Sequence, residues 1–315
     1  MILDTPLGKF RWIENWITIP DSPLGKINGR THGIVVLKSG EIVIFHQANP
    51  AVLFYSPEGD LLRSWGDYPG AHGLTLVEEN GVEHLWLTDQ DSKQVVKTSL
   101  EGEVLMSLTQ PPHDAYLTDS FVPTWVAVAE ERFGGNGDIW LADGYGAQLV
   151  HRFDQSGRYL ATLDGTEGGG RFKIPHGLAF DTRRSDPEFY IADRTNRRIQ
   201  VYAMDGTYRR TFGDDFLKSP DVSVRWGSQN VIVPEIGAGI TILDQNDRPI
   251  ASIGFNAEVR AKEGWPNHRE WITEGKFNSP HSAVADAFGN LYVVEWIIGG
   301  RVIKLESCSE NSSIR

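Results

Sequence analysis

Three histidines, His72, His176 and His281, stand 104 and 105 residues apart, and each heads a short apolar run: AHGLTL, PHGLAF and PHSAVA. Neutral imidazole is a good ligand for zinc and its neighbours in the first transition row. Three of them around one ion leave a position open for water or substrate, which is the arrangement of a catalytic metal. A lone histidine of this kind has a plainer use, bonding the backbone of the next segment. No local motif joins the three, so only the fold can bring them together. His32, in HGIVVL, is a fourth candidate, as ligand, proton shuttle or packed side chain. Tyr145 in DGYGA and Arg194 in ADRTNRR complete the reactive set. A phenol ionises near a pKa of about 10 and needs nearby positive charge to act as a base at neutral pH. A metal and Arg194 are the candidate sources of that charge. The alternatives are a rim aromatic for Tyr145 and a surface ion pair for Arg194.

The elements that position these residues repeat. From Ile174 to Phe212 the chain reads as a strand, a turn, a strand ending in acid, a turn, a strand, the dipeptide DG and a last strand. The same order recurs from His32, His72, Trp125 and Asp221, and in shortened form from His281. Glycine-containing turns between alternating apolar runs are hairpin signals. Six copies of a four-stranded meander, none able to bury both faces alone, predict an all-β, six-bladed β-propeller with almost no helix. The last copy contains three strands, so the segment Phe10–Pro20 is expected to supply the missing one and close the ring. Residues 1–306 are read as one domain and 307–315 as a polar tail.

In such a meander the first strand begins on the face where the second ends. One column there reads His32, His72, Trp125, His176, Asp221, His281; the other reads His46, Asp89, Asp143, Asp193, Glu235, Glu295. Alternate blades of six lie about 120° apart, so His72, His176 and His281 converge on the axis. The acidic column is expected to bond turn amides, with one or two carboxylates orienting a histidine. Two long connections, Gln110–Pro123 and Phe255–Pro280, reach the same rim, as lids or binding surfaces do. Gln47, Trp125, Asp221 and Trp296 are the candidate substrate contacts.

Composition narrows the function. The chain of 315 residues has a formal net charge of −12, which argues against a nucleic-acid partner. Its one cysteine, Cys308, permits no intrachain disulfide. No run reaches the roughly 20 apolar residues of a membrane helix, and the first residues lack the pattern of a signal peptide, so the expectation is a cytoplasmic protein with no membrane partner. Its oligomeric state is left open. A nucleophile elbow, a phosphate loop and a His-Glu-x-x-His helix are all missing from the sequence.

The repeats resemble NHL-type propellers. Within that group, AHGLTL with LWLTDQDSKQVVK, IWLADGYGAQLVHRF, IPHGLAF with YIADRTNRRIQVY, and KFNSPHSAV with NLYVVE are similar to the catalytic domain of peptidyl-α-hydroxyglycine amidating lyases. The likeness covers about residues 30–305. It implies metal ligation by His72, His176 and His281, a catalytic Tyr145 and a substrate-side Arg194. It also breaks. Where the family has FHRGD this chain has FHQAN, so Gln47 stands in place of an arginine. Where the family has MPHD this chain has SPHS, and Ser282 replaces an aspartate associated with structural calcium, which leaves calcium in doubt.

These residues point to an enzyme: a metal-dependent lyase, or an allied epimerase or isomerase, acting on a small hydroxy- or keto-bearing molecule. Zinc is the first choice of ion, with manganese, cobalt or iron as alternatives. Loss of the first-blade arginine suggests a less anionic substrate, and the rim tryptophans suit a sugar-like one. A lactonase-type hydrolase is the second reading. A non-catalytic NHL propeller that binds a protein is the third.

Overall fold

The computed structural model describes the backbone of all residues except 214–218, 221–224, 227–229, 238, 257 and 309–315, and side chains for all of these but 219, 220, 225 and 226. Asp221, a candidate substrate contact, lies outside the described residues.

Six antiparallel sheets form the six blades of a β-propeller. Blade 1 runs Thr31–Val36, Ile42–His46, Val52–Tyr55 and Leu61–Trp65. Blade 2 runs Ala71–Glu79, Val82–Asp89, Gln94–Thr98 and Val104–Leu108. Blade 3 runs Trp125–Val128, Ile139–Asp143, Leu149–Phe153 and Tyr159–Leu163. Blade 4 runs Pro175–Asp181, Glu188–Asp193, Arg198–Ala203 and Tyr208–Phe212. In blade 5, Ser219–Pro220 and Arg225–Trp226 both pair with Asn230–Ile236, followed by Gly239–Leu243 and Pro249–Ile253. Blade 6 contains Pro280–Ala285, Leu291–Glu295 and Arg301–Ser307.

The N-terminal segment completes blade 6, as the sequence predicts, but the closing strand is Gly8–Ile13 rather than the whole of 10–20. It pairs antiparallel with Arg301–Ser307, Phe10 opposite Ser307 and Ile13 opposite Lys304. A further strand, Ile2–Thr5, folds onto its outer edge, which the sequence reading did not anticipate. Arg301 fastens the joint: its guanidinium binds Glu295 of its own blade and Glu14 just after the closing strand. Trp12 donates to Glu14 at 2.8 Å.

The core is divided among the blade interfaces. Six apolar clusters each join two neighbouring blades; one sets Val43, Phe45 and Phe54 of blade 1 against Leu74, Leu85 and Leu87 of blade 2. The cluster between blades 5 and 6 includes Phe10 and Trp12, so the closing strand is part of the core as well as of the ladder. Strands buried on both faces explain why their sequences read as near-continuous apolar runs. The glycines after His32 and His72 have a local cause. A Cβ on Gly33 would fall 2.3 Å from the Cβ of Leu74, and one on Gly73 would fall 2.5 Å from the carbonyl of Thr124. At these two places the innermost strands meet closely because that side chain is missing. The one α-helix among the described residues, Pro23–Asn28, is capped by Ser22 and has proline in its first turn.

Two changes test the closure. Trp12→Ala should cost about 3–5 kcal/mol, the usual loss for a buried large aromatic. Removing residues 1–13 should abolish the cooperative thermal transition; unchanged melting of the truncated chain would show that the ring closes without them.

Candidate metal centre

His72 and His281 are set by their blade-start strands and by the first strand of the next blade. The Nδ1 of His72 faces the carbonyl oxygen of Thr124 at 2.9 Å, and the Nδ1 of His281 faces that of His32 at 3.0 Å. A carbonyl can only accept, so both Nδ1 atoms carry hydrogen and both Nε2 atoms are bare lone pairs in the neutral rings. At His72 and His281 the orienting groups are therefore backbone carbonyls rather than the carboxylates expected. The acidic column instead braces turns, as first expected. Asp89 accepts from the amides of Gly70, Asp91 and Ser92, Asp193 from Lys173, and Glu295 from Asn278 and Ser279.

Of the predicted trio, His72 and His176 meet directly and His281 lies beside them. The Nε2 of His72 and the Nε2 of His176 are 3.1 Å apart, and the His281 ring centroid lies 5.1 Å and 5.0 Å from theirs. All three rings are buried. The structure also brings His32 in: ligand nitrogens of His32, His72 and His281 lie within 4.8 Å of one another. Among the described residues these three form the only such cluster of potential ligands, and His176 joins it through His72. His32 is 2 % exposed and its Nδ1 has no hydrogen-bond partner. Burial holds the imidazoles of His32 and His176 well below the ordinary histidine pKa. Arg194 adds to this at His176, and the neighbouring histidines add at His32, so both are neutral at physiological pH.

The donor set fits a divalent transition ion. Tetrahedral ligands at roughly 2.0–2.1 Å from zinc are roughly 3.3 Å apart, close to the spacing of the His72 and His176 nitrogens. At that distance the lone pair of His72 Nε2 either accepts a proton from His176 Nε2 or shares a cation with it. The family's calcium finds no such fit, because Ser282 borders an axial cavity of about 320 Å³ whose wall there is mainly aliphatic and aromatic, with Ile34, Leu76, Leu178 and Val284.

Tyr145 stands over this centre. Its hydroxyl lies 3.2 Å from His72 Nε2 and 3.0 Å from His176 Nε2, and it accepts from Arg194 Nη1 at 3.1 Å. The turn that carries it has no room for side chains on its flanks. A Cβ on Gly144 would meet the Pro175 carbonyl at 2.1 Å, and one on Gly146 the Ser120 carbonyl at 2.2 Å. Asp143 anchors the turn, accepting from the amides of Val122 and Ala147 and from the Tyr116 hydroxyl. Behind it runs a half-buried chain of one polarity. Tyr159 donates to Thr162, Thr162 to His151 Nδ1, His151 Nε2 to Tyr116, and Tyr116 to Asp143. The sequence reading missed this support, because Tyr116 and His151 carry no motif and meet only across the Gln110–Pro123 connection.

The other candidates are distributed as follows. Trp296 is half-buried at the mouth, its ring under the Arg30 guanidinium at 5.1 Å and 6.0 Å from Trp265. Gln47 is buried, its Oε1 has no partner, and its backbone N–H donates to the Arg30 carbonyl. Trp125 is not on the rim: it is 6 % exposed, lies beside His281 and His72 with centroids 6.4 Å away, and lines the axial cavity beneath them. Arg194, for which a surface ion pair was the alternative, donates to Tyr145 instead, while its neighbour Arg198 binds the buried Asp193. Arg30, two residues before His32 on extended backbone, is the mouth residue that the sequence reading overlooked.

Comparison with known proteins supports the fold and the resemblance. No family model matches. The chain is 29% identical over 205 residues to a probable peptidyl-alpha-hydroxyglycine alpha-amidating lyase of Caenorhabditis elegans, covering 56% of each chain. It is 28% identical over 188 residues to NHL repeat-containing protein 3 of Homo sapiens, covering 56% of this chain and 52% of that one. The chain thus spans about half the length of the curated relatives it matches. Among solved structures, it is similar in fold to a gluconolactonase of Xanthomonas campestris (TM-score 0.65, 13% identity, 96% of this chain and 91% of that one). It is likewise similar to a streptogramin B lyase (TM-score 0.62, 15% identity, 95% and 98%). No helix among the described residues is long and apolar enough to cross a membrane.

Chelated protein without a histidine tag should take up one zinc per chain, and His72→Ala or His281→Ala should lose it; unchanged metal content in both variants would remove the centre. The buried His151 gives a separate check. Burial pushes its pKa down to about 3 from 6.5. Above pH 6.5 neither folded nor unfolded chain is protonated there. Below it the unfolded chain takes the proton first, and stability falls until the folded pKa is reached. Between pH 7.5 and 5 this contributes a loss of about 2 kcal/mol. Chemical denaturation of His151→Gln at both pH values should show the difference reduced by that amount.

Proposed function

We propose that the chain is a metal-dependent lyase, or an allied epimerase or isomerase, acting on a hydroxy- or keto-bearing small molecule at the four-histidine centre. The observation that carries this reading is the pair of carbonyl-fixed tautomers, which turn the bare Nε2 atoms of His72 and His281 toward the cluster beneath the Tyr145 hydroxyl. The amidating-lyase relative and the lyase neighbours in fold are consistent with it.

His72, His176 and His281 would hold the ion, with His32 as a fourth ligand or as a neutral acceptor beside it. A divalent ion bound there acts as a Lewis acid, acidifying a substrate hydroxyl or polarising a carbonyl. Tyr145 is the acid–base group. Arg194, donating to the phenolic oxygen, stabilises the phenolate. In an elimination the phenolate takes the hydroxyl proton. The O–H electrons form the new carbonyl, the bond to the leaving group breaks with its electrons going to that group, and Tyr145 returns the proton to it. In an epimerisation the same phenol moves a proton at carbon.

The gluconolactonase likeness favours a second reading, hydrolysis, in which solvent oxygen enters the product. The NHL-repeat relative keeps the third, a protein-binding platform, in view. Zinc-loaded protein supplied in ¹⁸O-water with an N-acyl hydroxyglycine and with gluconolactone separates them. The proposal expects cleavage of the hydroxy compound to an amide free of ¹⁸O, the amide being the product read because the aldehyde exchanges its oxygen with water, and a fall of about 10²–10⁴ in rate for Tyr145→Phe with zinc still bound. Lactone opening with ¹⁸O incorporation would establish the hydrolase instead, and absence of turnover with stoichiometric zinc would leave the binding platform.

A further inference from the structure

The mouth of the centre is ringed by cations that have no acids. Arg194 reaches Tyr145, and the Arg260 pKa is pulled below the ordinary arginine value by burial first and then by the charges of Arg194 and Arg197. The Arg260 guanidinium lies over Trp265 at 5.9 Å, and its methylenes cross Gly237, where a Cβ would meet them at 2.7 Å. Trp265 adjoins Trp296, and Arg30 covers Trp296 from the other end. The Nε of Arg30 is buried without a partner, and its charge acts on His32. Two tryptophans thus carry an arginine at either end.

Among the described residues, none of Arg30, Arg194, Arg197 and Arg260 has a carboxylate within ion-pair distance, in a chain with 42 acidic residues. The nearby acids are committed elsewhere: Asp193 to Arg198 and the Lys173 amide, Glu295 to Arg301 and two amides. Like charges gathered without counter-ions repel, and planar guanidinium groups match the oxygens of carboxylates and phosphates. A metal beneath them adds positive charge.

We propose that the substrate carries an oxyanion, a carboxylate or phosphate, seated on the collar of Arg260, Arg197 and Arg30, with its body along Trp265 and Trp296. The proposal rests on the reading of the centre as a substrate site and sets aside the expectation, drawn from Gln47, of a less anionic ligand. The cation missing at Gln47 is supplied by Arg30, whose carbonyl bonds the Gln47 amide.

Calorimetric titration with mandelate and phenyl phosphate, and with methyl mandelate as the uncharged control, tests it in zinc-loaded and chelated protein. At least one anion should bind ten times or more tightly than the ester, and the tighter of the two identifies the anion class. Arg260→Met and Arg30→Met, which keep the stem on the tryptophan and remove the charge, should each weaken that anion tenfold or more while zinc affinity and melting temperature stay unchanged. Equal binding of the ester, no anion binding, or anion binding indifferent to both variants would overturn the collar. Failure of zinc to bind in the same samples would instead overturn the metal reading, since the collar is still tested in chelated protein.

Discussion

The structure depends on a hydrogen bond that crosses from one blade to the next. A backbone carbonyl at the start of a neighbouring blade fixes the Nδ1 hydrogen of His72 and of His281, and with it the direction of each Nε2 lone pair. The orientation is only as good as the packing that sets the distance between blades. That packing is apolar and divided into interfaces, and it is brought to its tightest at the blade-start glycines. A change in ring closure would therefore reach the centre without touching a ligand, because the blades would no longer hold each other's histidines at one radius.

The same economy governs the tyrosine. Tyr145 is exposed on a turn, where a side chain is ordinarily mobile, yet three constraints converge on it: two glycine contacts with neighbouring carbonyls, the Asp143 anchor, and the hydroxyl's own contacts with two imidazoles and Arg194. The half-buried chain from Tyr159 to Asp143 has donors and acceptors in consistent order, so reversing a bond at the buried His151 leaves a ring nitrogen unpaired. Groups meant to react are best held by partners whose own rotamers are fixed, and this turn meets that condition.

Much of this was legible in the sequence because it repeats. Hairpin dipeptides and acid-ended strands recur blade by blade, so a weak signal in one copy is strengthened by five others, and the trio of histidines follows once the ring is recognised. The acidic column was readable for the same reason. What escaped was whatever broke the repeat. Arg30 and the Trp265–Trp296 pair meet through the loop between blades 5 and 6, which has no counterpart in the other blades. Trp125 occupies a histidine's place in the column, and its position suggested the rim; its size and apolarity take it instead into the blade 3–4 core and the axial cavity. The strand Ile2–Thr5 adds to an edge that was already complete, and no pattern of burial called for it.

The account stands on one cation shared by imidazoles drawn from blades across the ring. Diffraction from zinc-soaked crystals on either side of the zinc absorption edge tests it most directly. The account predicts a single anomalous peak on the axis, about 2.0–2.1 Å from the Nε2 atoms of His72, His176 and His281, and the same map decides whether His32 is a fourth ligand. Rings joined to one another through hydrogen bonds, with no anomalous density between them at full zinc loading, would contradict it.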